Sequence, residues 1–444
     1  MIDQKLIQKF HQKYQADPSN AASEHAIREV GINKASVNYA VRQRHDFVFS
    51  EETERGKITN QKQSGRCWMF AALNTARVLT MEKLKLKTFE FSQSYTLFWD
   101  KLEKSNFFLT SIIDTVEEDL DSRLVWHLLQ TPCEDGGQWE MFAGILKKYG
   151  SVPKSVMPET YHSSNTRELD TVLATKLREF AARLRQLHEK GASREELEAK
   201  RDEQLYFIYQ LLVKALGQVP TRFTYQYRDK DDQFHRIEDI TPQEFFQKYS
   251  SLEVDHMISL LNAPTADKPY GKTYTVDYLG SIAEAEPVKY LNVPIADLKA
   301  TAIRAIKDGH PVWFGSDVGK MSERKLGLLD AEMYRYDQTL GEGYTLSKAE
   351  RLDYSVSLLT HAMVLVGVDL DANGKPLTWK VENSWGKDVG DEGIFSMSDE
   401  WFDDYTFQIT VPARYVSEEL TKAYEQEPVH LKPWDPMGSL AKVR

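Results

Sequence analysis

The stretch Gln61-Lys62-Gln63-Ser64-Gly65-Arg66-Cys67-Trp68-Met69-Phe70 marks the point where a polar segment gives way to a helical one. Upstream, 51–65 is rich in Glu, Lys, Asn, Gln and Ser and reads as a loop. Downstream, Phe70, Leu73, Ala76, Thr80 and Leu84 follow three- and four-residue steps, the pattern of a helix burying one face. Cys67 therefore stands at a helix start. The unpaired amide hydrogens of a first helical turn carry roughly half a positive charge, which favours an anion there. A thiol attacks carbonyl carbon only as thiolate, so a helix N-terminus or a cationic neighbour must lower its ordinary pKa of about 8.5. On these grounds Cys67 is the candidate nucleophile. Cys133 has nothing nearby in sequence to activate it and reads as a small buried hydrophobe.

A thiolate needs a base. Of eleven histidines, His361 is the one placed immediately before a continuous apolar strand, where rigid backbone fixes the direction of the ring. Asn383 ends the next strand, within Val381-Glu382-Asn383-Ser384-Trp385-Gly386. Adjacent strands bring these side chains within a hydrogen bond, so that Asn383 sets the imidazole tautomer and Trp385 shields the contact from water. Gln61 lies six residues before Cys67. Its side-chain amide can join the Cys67 backbone N–H in holding a developing oxyanion. No histidine pair has metal-ligand spacing with a third partner, and no phosphate-binding glycine loop occurs, so neither a metal nor a cofactor is expected.

Working outward, the 444 residues divide into five stretches. Residues 1–50 are polar with helical periodicity. The segment 51–152 is a helical lobe carrying Cys67 and a turn at Glu134-Asp135-Gly136-Gly137-Gln138. From 153 to 285 the chain is a charged, mainly helical insertion, interrupted by Gly191 and restarted by the capping box Ser193-Arg194-Glu195-Glu196. A strand-like piece at 223–227 and a Pro-containing loop at 262–272 follow within it. The stretch 286–413 turns to β, with strands at 311–315, 362–369, 377–383 and 406–411 and one helix near 295–308. Residues 414–444 form a tail. Helices, an inserted helical region and then a sheet amount to an α+β fold.

Composition narrows the function. With 41% hydrophobic and 28% charged residues, the chain has the make-up of an ordinary globular protein. A net charge of −11 repels a phosphate backbone, so no nucleic-acid partner is expected. The longest apolar stretches, such as 362–368, fall short of the roughly 18 residues a spanning helix needs. The start Met1-Ile2-Asp3-Gln4-Lys5 lacks the form of a secretory signal, and two cysteines build no disulfide framework. A cytoplasmic location is the expectation.

Taken together, Gln61 to Phe70, Phe91-Ser-Gln-Ser-Tyr95, Asp135-Gly-Gly-Gln-Trp139, Thr360-His361-Ala-Met363 and Val381-Glu-Asn383-Ser-Trp-Gly386 resemble the papain-like cysteine peptidases, in that family's chain order. The resemblance is closest to its bleomycin hydrolase and bacterial aminopeptidase C branch, and extends to Pro311-Val-Trp-Phe-Gly315 and Pro433-Trp-Asp-Pro-Met-Gly438. It implies a Cys67–His361–Asn383 triad with Gln61 as oxyanion donor, in a two-lobed core whose cleft lies between a helical lobe and a β-barrel-like lobe. The 294 residues from Cys67 to His361 exceed the family's simple members, and the helical insertion accounts for the excess. Gly136 and Gly137 match the paired glycines of the second substrate subsite, against the plainer reading of an ordinary turn. Trp385 and Ala441 are the other residues expected to face substrate.

In this branch the tail lies along the cleft, its terminal carboxylate opposite the free amino group of a peptide, in a homohexameric ring. Thiol aminopeptidase activity on peptides is thus implied. Lys442, Val443 and Arg444 extend past Ala441, where relatives end, which keeps an endopeptidase open as the alternative. A ring-forming binding protein with a vestigial site is the alternative of another class.

Overall fold

The computed structural model describes residues 1–250 and 252–442. Its centre is the helix Cys67–Lys83. Cys67 to Arg77 is buried without interruption, as are Thr80 and Met81. The expectation of a helix with one buried face is therefore corrected. The helix is enclosed because helices Gln93–Asp114 and Trp139–Tyr149 pack on it together with the strands Val312–Ser316 and His361–Leu370, and a helix apolar all round belongs in such a core.

The strands form one large sheet. From one edge the order is Val429–Leu431, Lys272–Val276, Tyr290–Asn292, Met257–Leu261, Thr406–Pro412, Val312–Ser316, His361–Leu370, Pro376–Glu382, Ile394–Ser398, Leu328–Leu329 and Ser322–Glu323. Glu51–Glu52, in the stretch read as a loop, adds to His361–Leu370 opposite Val368 and Gly367. Met257–Leu261 and Lys272–Val276 come from the stretch read as a mainly helical insertion, so the sheet reaches back into it. The tail likewise begins as a strand, with Val429–Leu431 parallel to Lys272–Val276.

Helices Arg167–Glu189 and Arg194–Leu216 pack on each other and on Gln93–Asp114. The capping box is present: the Ser193 hydroxyl accepts from the Glu196 amide at 3.3 Å, and the Glu196 carboxylate accepts from the Ser193 amide at 2.8 Å. A separate hairpin, Phe223–Arg228 with Phe234–Ile240, follows. The architecture is α+β, with helices to one side of the Cys67 helix and the sheet to the other.

His361 opens the strand that is paired on both sides, opposite Ser316 on one neighbour. On the other neighbour Glu382 lies opposite Val364, which sets Asn383 one step closer to His361. Glu382 also ties the lobes together: its carboxylate accepts from Arg77 of the Cys67 helix at 2.7 Å, with both side chains almost wholly buried. Breaking one partner of a buried pair strands the other charge at a cost of about 3–5 kcal/mol, whereas replacing both by apolar groups is often neutral. Arg77→Met should therefore lower the unfolding free energy by about that amount in denaturant titrations, and Arg77→Met with Glu382→Leu should recover most of it. Equal losses in the single and double variants would contradict this account of the contact.

Candidate active site

The site is assembled where the N-terminus of the Cys67 helix meets the start of the His361 strand. Cys67 is 1% exposed and His361 5%. The backbone N–H of Ala362, the residue after His361, donates to the Cys67 sulfur, as does that of Trp68. The thiol thus lies against the strand that carries the imidazole. Trp313 reinforces the seat, its indole N–H donating to the Trp68 carbonyl at 3.1 Å.

His361 Nε2 and Asn383 Oδ1 are 2.9 Å apart. The amide orientation is fixed independently, because the Ser384 backbone N–H donates to the same Oδ1 at 2.8 Å and can do so only to an oxygen. Oδ1 therefore accepts from an Nε2–H, which leaves Nδ1 of a neutral ring as the free acceptor. Trp385 covers the imidazole, with ring centroids 4.7 Å apart, and the Arg324 guanidinium lies 4.2 Å from the Trp385 ring centre.

Gln61 is bound to the same segment. Its backbone N–H donates to the Ser384 carbonyl at 2.8 Å, and its Oε1 accepts from the Ser384 hydroxyl at 2.7 Å. One hydrogen of Nε2 goes to the Ser64 carbonyl at 2.6 Å. With Oε1 engaged, the amide nitrogen and its second hydrogen are directed away from Ser384. Ser384 therefore orients both Asn383 and Gln61, a role that the sequence motif holds but does not announce.

The loop before Cys67 has its own buried anchor. Asp135 accepts from the Gly65 backbone N–H at 2.7 Å and from the Thr166 hydroxyl, and pairs with Lys101 at 2.8 Å. Lys101 also binds Asp170 at 2.6 Å. Burial opposes the charge on Asp135, but Lys101 and these donors hold its carboxyl well below the usual range. Arg66 is clamped in two parallel contacts of 3.1 and 2.8 Å by Glu159. Sequence spacing offers no signal for partners so far apart in the chain.

Burial governs the two reactive groups. It pushes the Cys67 thiol up to about 11, against the lowering by the Ala362 and Trp68 amides. It pushes His361 down to about 4, against the raising by Asn383, and the Arg324 charge lowers it further. Burial thus opposes the lowering expected from the helix start, since a terminal half-charge is worth roughly 0.3–1 kcal/mol and desolvation more.

Gly136 and Gly137 are both buried. The Gly136 carbonyl accepts from Lys104 at 2.6 Å. A Cβ on Gly137 would meet the Trp68 ring at 2.5 Å, so close packing alone already requires a glycine there. Ala441 lies in the 3₁₀ turn Pro436–Lys442, which reaches the site through two contacts: the Ser439 hydroxyl donates to the Leu359 carbonyl at 2.7 Å, and Gln138 Nε2 donates to the Met437 carbonyl at 3.4 Å. Val443 and Arg444 fall outside the described residues.

Known proteins are similar to this chain along nearly its whole length. The Peptidase C1-like family matches residues 1–438. Aminopeptidase C of Listeria monocytogenes is 48% identical over 435 residues, covering 98% of each chain, and that of Streptococcus thermophilus is 49% identical over 436 residues with the same coverage. Bleomycin hydrolase of Homo sapiens is 42% identical over 443 residues, covering 97% of each. The crystal structure of PepW from Lactobacillus rhamnosis HN001 superposes with a TM-score of 0.98 at 47% identity, covering 99% of each chain. The fold is papain-like, and the chain belongs to the Peptidase C1-like family.

Proposed function

We propose that Cys67, His361, Asn383 and Gln61 carry out the thiol aminopeptidase reaction of this family member, releasing the N-terminal residue of a peptide. The observation that carries the reading is the pair of hydrogen bonds through which Asn383 and Ser384 leave His361 Nδ1 bare and aim the Gln61 amide.

As the substrate carbonyl enters, Nδ1 of His361 takes the thiol proton and the sulfur attacks the carbonyl carbon. The oxyanion is held by the second hydrogen of Gln61 Nε2 and the Cys67 backbone N–H. Imidazolium then gives its proton to the leaving nitrogen, the C–N bond breaks, and a thioester remains on Cys67. Water adds to the thioester with His361 as base, the C–S bond breaks, and the sulfur recovers its proton. No cofactor takes part.

Burial opposes charge on both Cys67 and His361 before substrate arrives.

Restriction to the N-terminal residue is assigned to the tail, anchored at Leu359 and Gln138 beside the catalytic strand and the glycine turn. Gly136 and Gly137 would flank the substrate there, and Trp385 the leaving side. Peptide substrates and the homohexamer rest on the family, and the cytoplasmic location on two free cysteines suited to a reducing compartment. No helix among the described residues is long and apolar enough to cross a membrane. The complete set of four reactive side chains favours a working enzyme over a vestigial binding protein.

Cys67→Ala should abolish turnover of an aminoacyl amide while thermal melting stays cooperative; unchanged turnover would refute the assignment. A peptide with a free amino group should be cleaved far faster than its N-acetylated twin, and truncation after Gly438 should narrow that gap. Cleavage of both twins at equal rates by the full chain would instead identify an endopeptidase.

Burial of the His361 imidazole has its own signature in stability. The folded pKa of His361 lies below its unfolded value of 6.5, so the stabilisation is present above that pH and is lost as pH falls towards about 4. Between pH 6.5 and 5 the wild type should lose about 2 kcal/mol more than His361→Gln in urea titrations. Parallel losses in the two proteins would show that the imidazole is already protonated at rest.

A further inference from the structure

Beside the site, a cavity of about 860 Å³ opens between the Gln61 loop and the helix Arg167–Glu189. It is lined by Gln61 and Trp385, so it lies on the side to which the amine departs. Four cations face it: Lys62, Arg167, Arg178 and Arg324. Its acids are Glu134 and Asp170, and Asp170 is already engaged by Lys101 at 2.6 Å. Arg178 is held by the Leu129 and Gln130 carbonyls at 2.8 and 3.1 Å. No carboxylate among the described residues forms a salt bridge with Arg324, whose guanidinium is stacked on Trp385 instead. On a chain of net charge −11, most of whose arginines bind acids or carbonyls, this local excess of positive charge is set apart from the general surface.

We propose that Arg324, supported by Arg167 and Lys62, binds the carboxylate of the leaving peptide, so that the preferred substrates are short peptides with a free C-terminus one or two residues beyond the scissile bond, or with an acidic side chain there. The proposal rests on the aminopeptidase reading and extends it to the leaving group. Reach supports it. From the imidazole to the Trp385 ring is 4.7 Å and from that ring to the guanidinium 4.2 Å, a span that one or two extended residues at roughly 3.3–3.6 Å each and the carboxylate itself cover. Stacking also pre-orients the planar donor fork, which suits a carboxylate better than a lysine would. The field of the cluster attracts the carboxylate end of a zwitterionic peptide and so orients it as it enters.

The test compares three substrates that share one N-terminal residue: a tripeptide with a free C-terminus, the same tripeptide as C-terminal amide, and an aminoacyl anilide. The measured quantity is the ratio of kcat/KM for acid over amide, determined for the wild type, Arg324→Gln and Arg28→Gln, the last removing an equal charge from a distant helix. The expected wild-type ratio is about three- to tenfold at low salt, falling as salt rises. It should approach one in Arg324→Gln and persist in Arg28→Gln. A wild-type ratio near one, a ratio that survives in Arg324→Gln, or equal loss in both variants would each overturn the proposal. Failure of the wild type to cleave even the anilide would instead overturn the peptidase reading beneath it.

Discussion

The Cys67 sulfur lies against the strand that His361 opens only because one helix packs on that strand, and no covalent bond holds them there. The two residues are 294 positions apart in the chain. Contacts across the lobes secure the junction on several sides: Arg77 with Glu382, Trp313 with the Trp68 carbonyl, and Gln61 with Ser384 through both backbone and side chain. A displacement of about 1 Å in a reacting group can cost a hundredfold in rate. The density of buried bonds around this seam is what such a tolerance demands, and the rest of the architecture serves to keep the helix and strand in place.

Enclosure strengthens these bonds and also sets the electrostatics. In a medium of low effective dielectric constant, unpaired charge is costly, and the structure answers in two ways. Away from the reacting atoms, Asp135 and Asp170 share Lys101, and Asp135 fixes the Gly65 amide two residues ahead of Cys67. At the reacting atoms burial opposes charge on the Cys67 thiol and on the His361 imidazole alike.

Much of this was legible in the sequence, though unevenly. Periodicity placed the helix at Cys67 and a continuous apolar run the strand after His361, because both patterns are local. The neighbouring strand of Asn383 followed from chain order. The same local reasoning misjudged the Cys67 helix as half-exposed, since whether a second layer covers a face depends on residues hundreds of positions away. It also gave Met257–Leu261 and Lys272–Val276 to the insertion, because short strands next to long helices carry little periodic signal. Ser384 and Asp135 stood inside recognised motifs, yet their parts are played through partners such as Gln61 and Lys101 that only the folded chain brings near. Arg324 had no signal at all. Nothing in a linear string says that a guanidinium will lie over a particular indole.

The shape of the cleft gives the chemistry a direction. On the Trp385 side the cavity holds about 860 Å³, within the range of pockets that enclose whole ligands. Ala441 and Lys442 line a second cavity of about 70 Å³ with His127, and Cys133 and Glu134 line both cavities. The turn Pro436–Lys442 is anchored at Leu359, two residues before His361, and at Gln138, next to Gly137.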